Sequence, residues 1–301
     1  MSELEITILG VPIDCTGEPG GTELAPRALR RAGVVGRVGA SDAGDAPVAI
    51  RGRVRDPASG VLALPSVIAT IAGVRDAVGA LLGDGRWPLL LAGDCTATIG
   101  ACAALRDDHR RIGLVYVDGH VDLYDGRTSP TGESADFPLG VICGLGPPEL
   151  RAATHDADPL IEPRHVAVLG ARDHDEAVGL GSPLPADVDS EMLDLDADTV
   201  RRDGAAGAGE RAAEHAVRET EGFWLHLDLD VLDQDEFPAT DYLMPNGLTW
   251  QQLDRLIDAP AGSPRCLGMT LACFNPEKDD DGADAARIVE LLADVAHRRG
   301  S

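Results

Sequence analysis

Six short apolar runs, at residues 5–11, 88–92, 113–118, 166–170, 223–230 and 266–273, constrain the fold of this chain more than any other feature. Several are apolar on consecutive residues, as strands covered on both faces must be. Between them lie stretches with helical patterning at 25–32, 67–82, 211–220, 250–257 and 283–297. Strand followed by helix, repeated, predicts an α/β fold: a parallel sheet with helices on both sides. The polar, Gly/Ala/Asp-rich stretches 41–56 and 187–209 read as surface excursions, and neither reads as a linker. One domain over residues 1–301 is the simpler expectation.

Sheets of this kind bind ligands outside the carboxyl ends of their strands. Every unusual polar cluster falls there: Gly93-Asp94-Cys95, Asp118-Gly119-His120-Val121-Asp122, Arg172-Asp173-His174-Asp175, Asp228-Leu229-Asp230 and Cys273-Phe274-Asn275-Pro276. In extended backbone residues i, i+2 and i+4 project to one side, so Asp118, His120 and Asp122 can converge, and Asp228 and Asp230 repeat the pattern. Either motif alone is an ordinary solvated strand end. Together they would crowd carboxylates that repel and neutralise one another, a cost that a divalent cation removes. His226, two residues before Asp228 and one pleat deeper, reads as a core histidine satisfied by neighbouring backbone. His174, at a strand end, has no such bias.

Composition limits the partners. Fifty-one acids against 26 bases give a formal charge of −25, and Lys278 is the sole lysine. Such a surface repels nucleic acid and anionic membranes, leaving a small molecule as the expected partner. No uninterrupted apolar run approaches the roughly 20 residues of a membrane span, and no secretory signal pattern opens the chain. The cysteines, Cys15, Cys95, Cys102, Cys143, Cys266 and Cys273, are scattered without paired spacing, which suits a reducing, cytoplasmic location.

Taken in order, these clusters resemble the arginase/agmatinase/formimidoylglutamase family of binuclear manganese hydrolases, nearly end to end. The resemblance rests on Gly10-Val11-Pro12-Ile13-Asp14, the loop and helix from Gly20 to Arg30, Asp118-Gly119-His120-Val121-Asp122, Asp228-Leu229-Asp230-Val231-Leu232-Asp233, Gly247-Leu248-Thr249 and Asn275-Pro276. It implies a three-layer α/β/α domain with a parallel sheet of about eight strands, assembled as a homo-oligomer, trimer or hexamer. It also implies hydrolysis of a linear C–N bond of guanidino, amidino or formimino type, with metal-activated water as nucleophile. Carried across by position, Asp118 and Asp228 would bridge two Mn²⁺ ions. His120 and Asp230 would complete one site, and Asp122 would help complete the other and orient the nucleophile.

The chain departs from the family where chemistry and specificity are decided. Cys95 stands where the family's Gly-Gly-Asp-His motif has a histidine. Either this soft thiolate ligates and shifts preference from Mn²⁺ toward Zn²⁺ or Fe²⁺, or it is a buried cysteine beside a one-metal centre. Cys273 stands where a glutamate holds the guanidinium, and a thiol cannot accept two N–H bonds in that geometry. In the substrate loop Ala135 replaces a proton-shuttling histidine, which His174 could substitute. Thr131, Glu133, Asp175 (a candidate ammonium contact) and Asp241 are the remaining candidates for the substrate pocket. Two functions therefore stand open: a hydrolase of a small amine-bearing substrate other than L-arginine, or a degenerate metal-binding homologue acting as a structural or sensing partner.

Overall fold

A computed structural model describes residues 5–107, 111–154 and 159–300. The expected runs are all strands: β1 (Ile6–Val11), β3 (Trp87–Ala92), β4 (Ile112–Val117), β5 (Val166–Leu169), β7 (Gly222–Asp228) and β8 (Cys266–Ala272). Two further strands, β2 (Ser41–Asp45) and β6 (Leu193–Leu195), complete an eight-stranded sheet of order β2-β1-β3-β8-β7-β4-β5-β6. Every pairing is parallel.

These two strands correct the reading of 41–56 and 187–209 as surface excursions. Both lie at the sheet edges, where polar residues are tolerated, so β2 carries no apolar signature, while β6, Leu193-Asp194-Leu195, is too short to show one. A bidentate pair anchors β2: Arg30 Nε and Nη2 lie 2.9 Å from Asp42 Oδ2 and Oδ1, and Nη2 also donates to Gly44 O at 2.8 Å. The second stretch also holds α8 (Pro185–Val188), α9 (Ala197–Asp203) and the start of α10 (Ala205–Ala216).

The helices form two layers. With α9 and α10, the helices α1 (Ala25–Arg31), α2 (Val34–Val38), α11 (Trp250–Gly262) and α12 (Ala283–Arg299) cover one face of the sheet. The other carries α3 (Leu64–Gly83), α4 (Thr96–Asp107), α5 (Pro138–Ile142), α6 (Pro148–Ala152) and α7 (His174–Leu180), with α8. Helix α3 has the length and apolar character of a membrane span; here it buries Val67, Ile71, Val74 and Val78 in the core. Helix α4 escaped the sequence reading because Thr96–Leu105 are all buried, so no polar face marks a 3.6-residue period. It sits close against α3, for a Cβ at Gly100 would lie 2.8 Å from the Ile71 carbonyl oxygen. The expected three-layer α/β/α fold is therefore observed.

Strands β3, β4 and β7 are buried at every residue, which makes the sheet centre intolerant of added volume. At Gly113 in β4 a Cβ would lie 2.1 Å from the Ala216 carbonyl oxygen and 2.9 Å from that of His165. Gly113→Ala should therefore destabilise the fold by about 1–3 kcal/mol. Gly79, inside α3, has no heavy atom within 4 Å of its missing Cβ. Gly79→Ala should stabilise by about 0.5–1 kcal/mol, chiefly by removing unfolded-chain entropy. Urea denaturation of both variants tests the pair; equal midpoints would contradict the packing.

Candidate metal centre

Four adjacent strands, β3, β8, β7 and β4, form the middle of the sheet, and their carboxyl ends deliver Cys95, Cys273, Asp228 and Asp118 to one place. Both acidic motifs close with the same local device. Asp118 Oδ1 accepts the His120 backbone N–H at 2.8 Å, and Asp228 Oδ1 accepts that of Asp230 at 2.8 Å. Each first aspartate thus spends one oxygen on its own turn and turns the other toward the centre. Asp230 Oδ1 accepts the Gly119 N–H at 3.1 Å, and its Oδ2 lies 3.1 Å from His120 Nδ1.

Two donor groups result, each with its ligand atoms within 4.8 Å of one another: Asp118, His120 and Asp230, and Cys95, Asp118, His226 and Asp228. Asp118 is shared. Its Oδ1 lies 3.5 Å from His120 Nδ1, and its Oδ2 lies 3.7 Å from Cys95 Sγ and 3.6 Å from His226 Nε2. The Cys95 thiol also donates to Asp228 Oδ2. Both donor sets fit divalent cations, the first made of hard oxygens and an imidazole, the second adding sulfur.

The electrostatics show what the cluster lacks. Burial pushes the Asp118 carboxyl up, but the imidazoles of His120 and His226 outweigh it and hold Asp118 below the usual carboxylate range. Asp228 is pushed well above that range by burial, then by Asp230 and Asp118. Asp122 is raised likewise by burial and by Asp118. Without added positive charge, some of these acids must hold protons.

A cavity of about 410 Å³ opens over the cluster. Its lining includes Asp118, His120, Asp122, Asp228, Asp230, Cys95, Cys273, Thr131 and Asp241, as expected from the sequence. Several candidates sit differently. Asp122 belongs to neither donor group: at φ 47° it turns its Oδ2 to the Tyr116 hydroxyl. His174 is outside the lining, its Nε2 tied to Asp194 Oδ2 at 2.9 Å, which raises its pKa. Asp175 is exposed, and its neighbour Glu176 lines the cavity instead. Glu133 lies behind the wall, accepting from the Tyr242 hydroxyl and from Cys15 Sγ at 3.7 Å. Asp241 is paired with Lys278 at 2.7 Å and accepts from Asn275 Nδ2 at 2.8 Å.

His226 is the largest correction. Its Nδ1 is 2.7 Å from the Thr98 hydroxyl, not satisfied by backbone, and its Nε2 is buried with no hydrogen-bond partner. Its ring stacks on Tyr116 at a centroid distance of 4.3 Å. Tyr116 went unnoticed, although strand alternation two residues before Asp118 places it on the same face as surely as it places His226.

The Arginase family profile matches residues 4–297. The arginase of Bacillus caldovelox is 28% identical over 296 residues, covering 96% of this chain and 97% of that protein. The arginase of Brevibacillus brevis is 26% identical over 295 residues, covering 96% and 97%. The native structure of the Bacillus caldovelox arginase superposes with a TM-score of 0.85 at 27% identity, covering 97% of this chain and 98% of that one. Proclavaminate amidino hydrolase from Streptomyces clavuligerus shares the fold, with a TM-score of 0.70 at 20% identity over 98% and 92%. With that profile, that coverage and paired acidic motifs converging at the sheet centre, the chain belongs to the arginase family, the metal-dependent ureohydrolases that cleave linear, non-peptide C–N bonds.

Proposed function

We propose that this ureohydrolase acts on a small, cationic amine without a carboxylate, and that L-arginine is a poor substrate. The wall of the cavity carries this reading. Beyond the metal-site acids, Asp14, Asp94, Asp136, Glu176 and Asp241 line it, and no Lys or Arg does so among the described residues. Asp94 Oδ2 is buried without a partner, and burial pushes that carboxyl up to about 6, so a cation has an unpaired oxygen to meet. Cys273 offers no anion: its hydrogen bond with Cys95 pulls its thiol down, but burial and Asp228 push it up further, leaving it well above its usual range.

In this reading Asp118, His120 and Asp230 hold a divalent ion, Mn²⁺ on the hardness of their donors, and the bound ion supplies activated water near neutral pH. The acidic wall orients the cation, and Ala135, which lines the cavity, leaves proton transfer to solvent. The six buried free thiols support a cytoplasmic setting, and the continuous sheet supports one working domain. The family resemblance supports a homo-oligomer. Cys95, Ala135 and Cys273 favour one rival, a non-catalytic metal-binding homologue.

A urea and ammonia release screen separates these readings. Carboxylate-free guanidino and amidino amines should give kcat/KM above that of L-arginine by at least about tenfold, the effect of ~1.4 kcal/mol of added repulsion. Equal turnover of L-arginine would defeat the proposal. Cys273→Glu with Ala135→His should recover part of the urea release from guanidino compounds. A folded, metal-loaded double variant without any would favour the rival.

The site also depends on Arg172, whose guanidinium donates to the carbonyls of Asp230 at 2.7 Å, Leu232 at 3.1 Å and Met244 at 3.3 Å. Its backbone N–H donates to Gly119 O at 2.9 Å, so this residue ties together the loops that carry both acidic motifs. A lysine cannot reproduce that planar fork. Arg172→Lys should weaken binding of the metal held by Asp118, His120 and Asp230 by about 10–100-fold in a metal titration, with the fold retained. Unchanged affinity would show that the loops hold their shape without it.

A further inference from the structure

We infer that His226 is a metal ligand in this protein, forming with Cys95, Asp118 and Asp228 a closed, sulfur-containing site distinct in metal preference from the Asp118/His120/Asp230 site. The inference deepens the metal-dependent reading and rests on it. Three observations support it.

First, His226 is fully buried, and its Nε2 has no hydrogen-bond partner. A buried ring nitrogen without a hydrogen-bond partner costs desolvation energy that a bond to a metal removes. Second, the ring is already aimed. The Thr98 hydroxyl at 2.7 Å holds Nδ1, and Tyr116 stacks against one ring face, as the outer partners of a metal-bound imidazole do. Third, the separations about Asp118 Oδ2 fit, while the closer Cys95 Sγ–Asp228 Oδ2 hydrogen bond must open as the thiol proton leaves. Donors about 2.0–2.3 Å from a tetrahedral ion lie roughly 3.3–3.8 Å apart. Asp118 Oδ2 lies 3.6 Å from His226 Nε2 and 3.7 Å from Cys95 Sγ.

The histidine missing from position 95 is thus restored from a different strand. Position 95 follows β3, whereas His226 rises from within β7, one pleat beneath Asp228. Metal entry breaks the Cys95 S–H bond, releases that proton to solvent and forms the sulfur–metal bond in its place. A Cys/His/Asp/Asp donor set with borderline-soft sulfur selects Zn²⁺ or Fe²⁺ over Mn²⁺. Four protein donors also close a tetrahedral site. The Asp118/His120/Asp230 group has three protein donors, so open positions for water remain there.

The test uses the full chain, stripped with a chelator and reconstituted with one equivalent of Co²⁺ or Zn²⁺. The cobalt protein should show a near-ultraviolet thiolate-to-cobalt charge-transfer band and intense visible bands of tetrahedral geometry. Cys95→Ser should abolish the first. His226→Gln, which keeps most of the volume, should weaken cobalt and zinc binding by about 100-fold or more, and Thr98→Val by about 10–100-fold. X-ray absorption at the zinc edge of the unaltered protein should show sulfur and imidazole in the same shell, a readout that needs no variant to fold. Absence of sulfur scattering and of the charge-transfer band would overturn the inference. So would a folded His226→Gln protein with unchanged affinity and spectrum. Metal bound by oxygen and His120 alone would overturn the His226 site and leave the hydrolase reading standing, whereas a chain that binds no divalent ion would overturn both.

Discussion

The crowding of Asp118, Asp228 and Asp230 at buried strand ends is the constraint on which the rest of the structure depends. Their oxygens fall within donor groups no wider than 4.8 Å, and each residue is nearly inaccessible to solvent. Two unit charges that far apart repel by about 3–4 kcal/mol at an effective dielectric of 20. A fold does not carry several such contacts without a compensating cation or bound protons. The sheet order answers this by placing β3, β8, β7 and β4 side by side, so donors distant in sequence meet without a long loop.

That convergence requires a polar layer inside the sheet. Beneath the metal centre lie Tyr116, His226 and Thr98, and Trp224 Nε1 donates to the Thr270 hydroxyl at 3.0 Å below them. Buried polar groups are tolerable only when nearly all are partnered. Here the network closes except at His226 Nε2, and that exception faces Asp118.

The fold was legible in the sequence where strands are buried on both faces, because short apolar runs rich in β-branched residues or Leu alternate there with helical stretches. It was illegible at β2, which is polar and at an edge, at β6, which has only three residues, and at α4, whose all-round burial erases periodicity. At the site, alternation suggested that Asp118, His120, Asp228 and Asp230 converge, yet β4 ends at Val117 and Asp230 lies in the turn Leu229–Val231, so it is the two aspartate-capped turns that bring them together. Alternation could not tell a ligand from an outer partner, because that depends on which atom points where. Asp122 lines the cavity but gives its Oδ2 to the Tyr116 hydroxyl, His174 is held by Asp194, and His226 has one nitrogen satisfied and one bare. Alternation placed Asp122 and His226 on the face of the centre, His174 was a candidate only as a strand-end residue, and none of these orientations could be read from the sequence.

Backbone strain shows how closely the centre is held despite its altered residues. Asp122 at φ 47° and Cys273 at φ 66° adopt the left-handed region, which costs a non-glycine residue about 1–3 kcal/mol unless its surroundings impose it. The Cys273 N–H donates to the Gly93 carbonyl at 3.1 Å, which ties β8 to the turn carrying Cys95. Gly93 is in turn confined, since a Cβ there would lie 1.8 Å from the Ile13 carbonyl oxygen. The two thiols meet at 3.8 Å across this tie. Such a frame can exchange a histidine or a glutamate for a cysteine without moving, so chemistry at positions 95 and 273 changes while the carboxylates stay where a metal needs them.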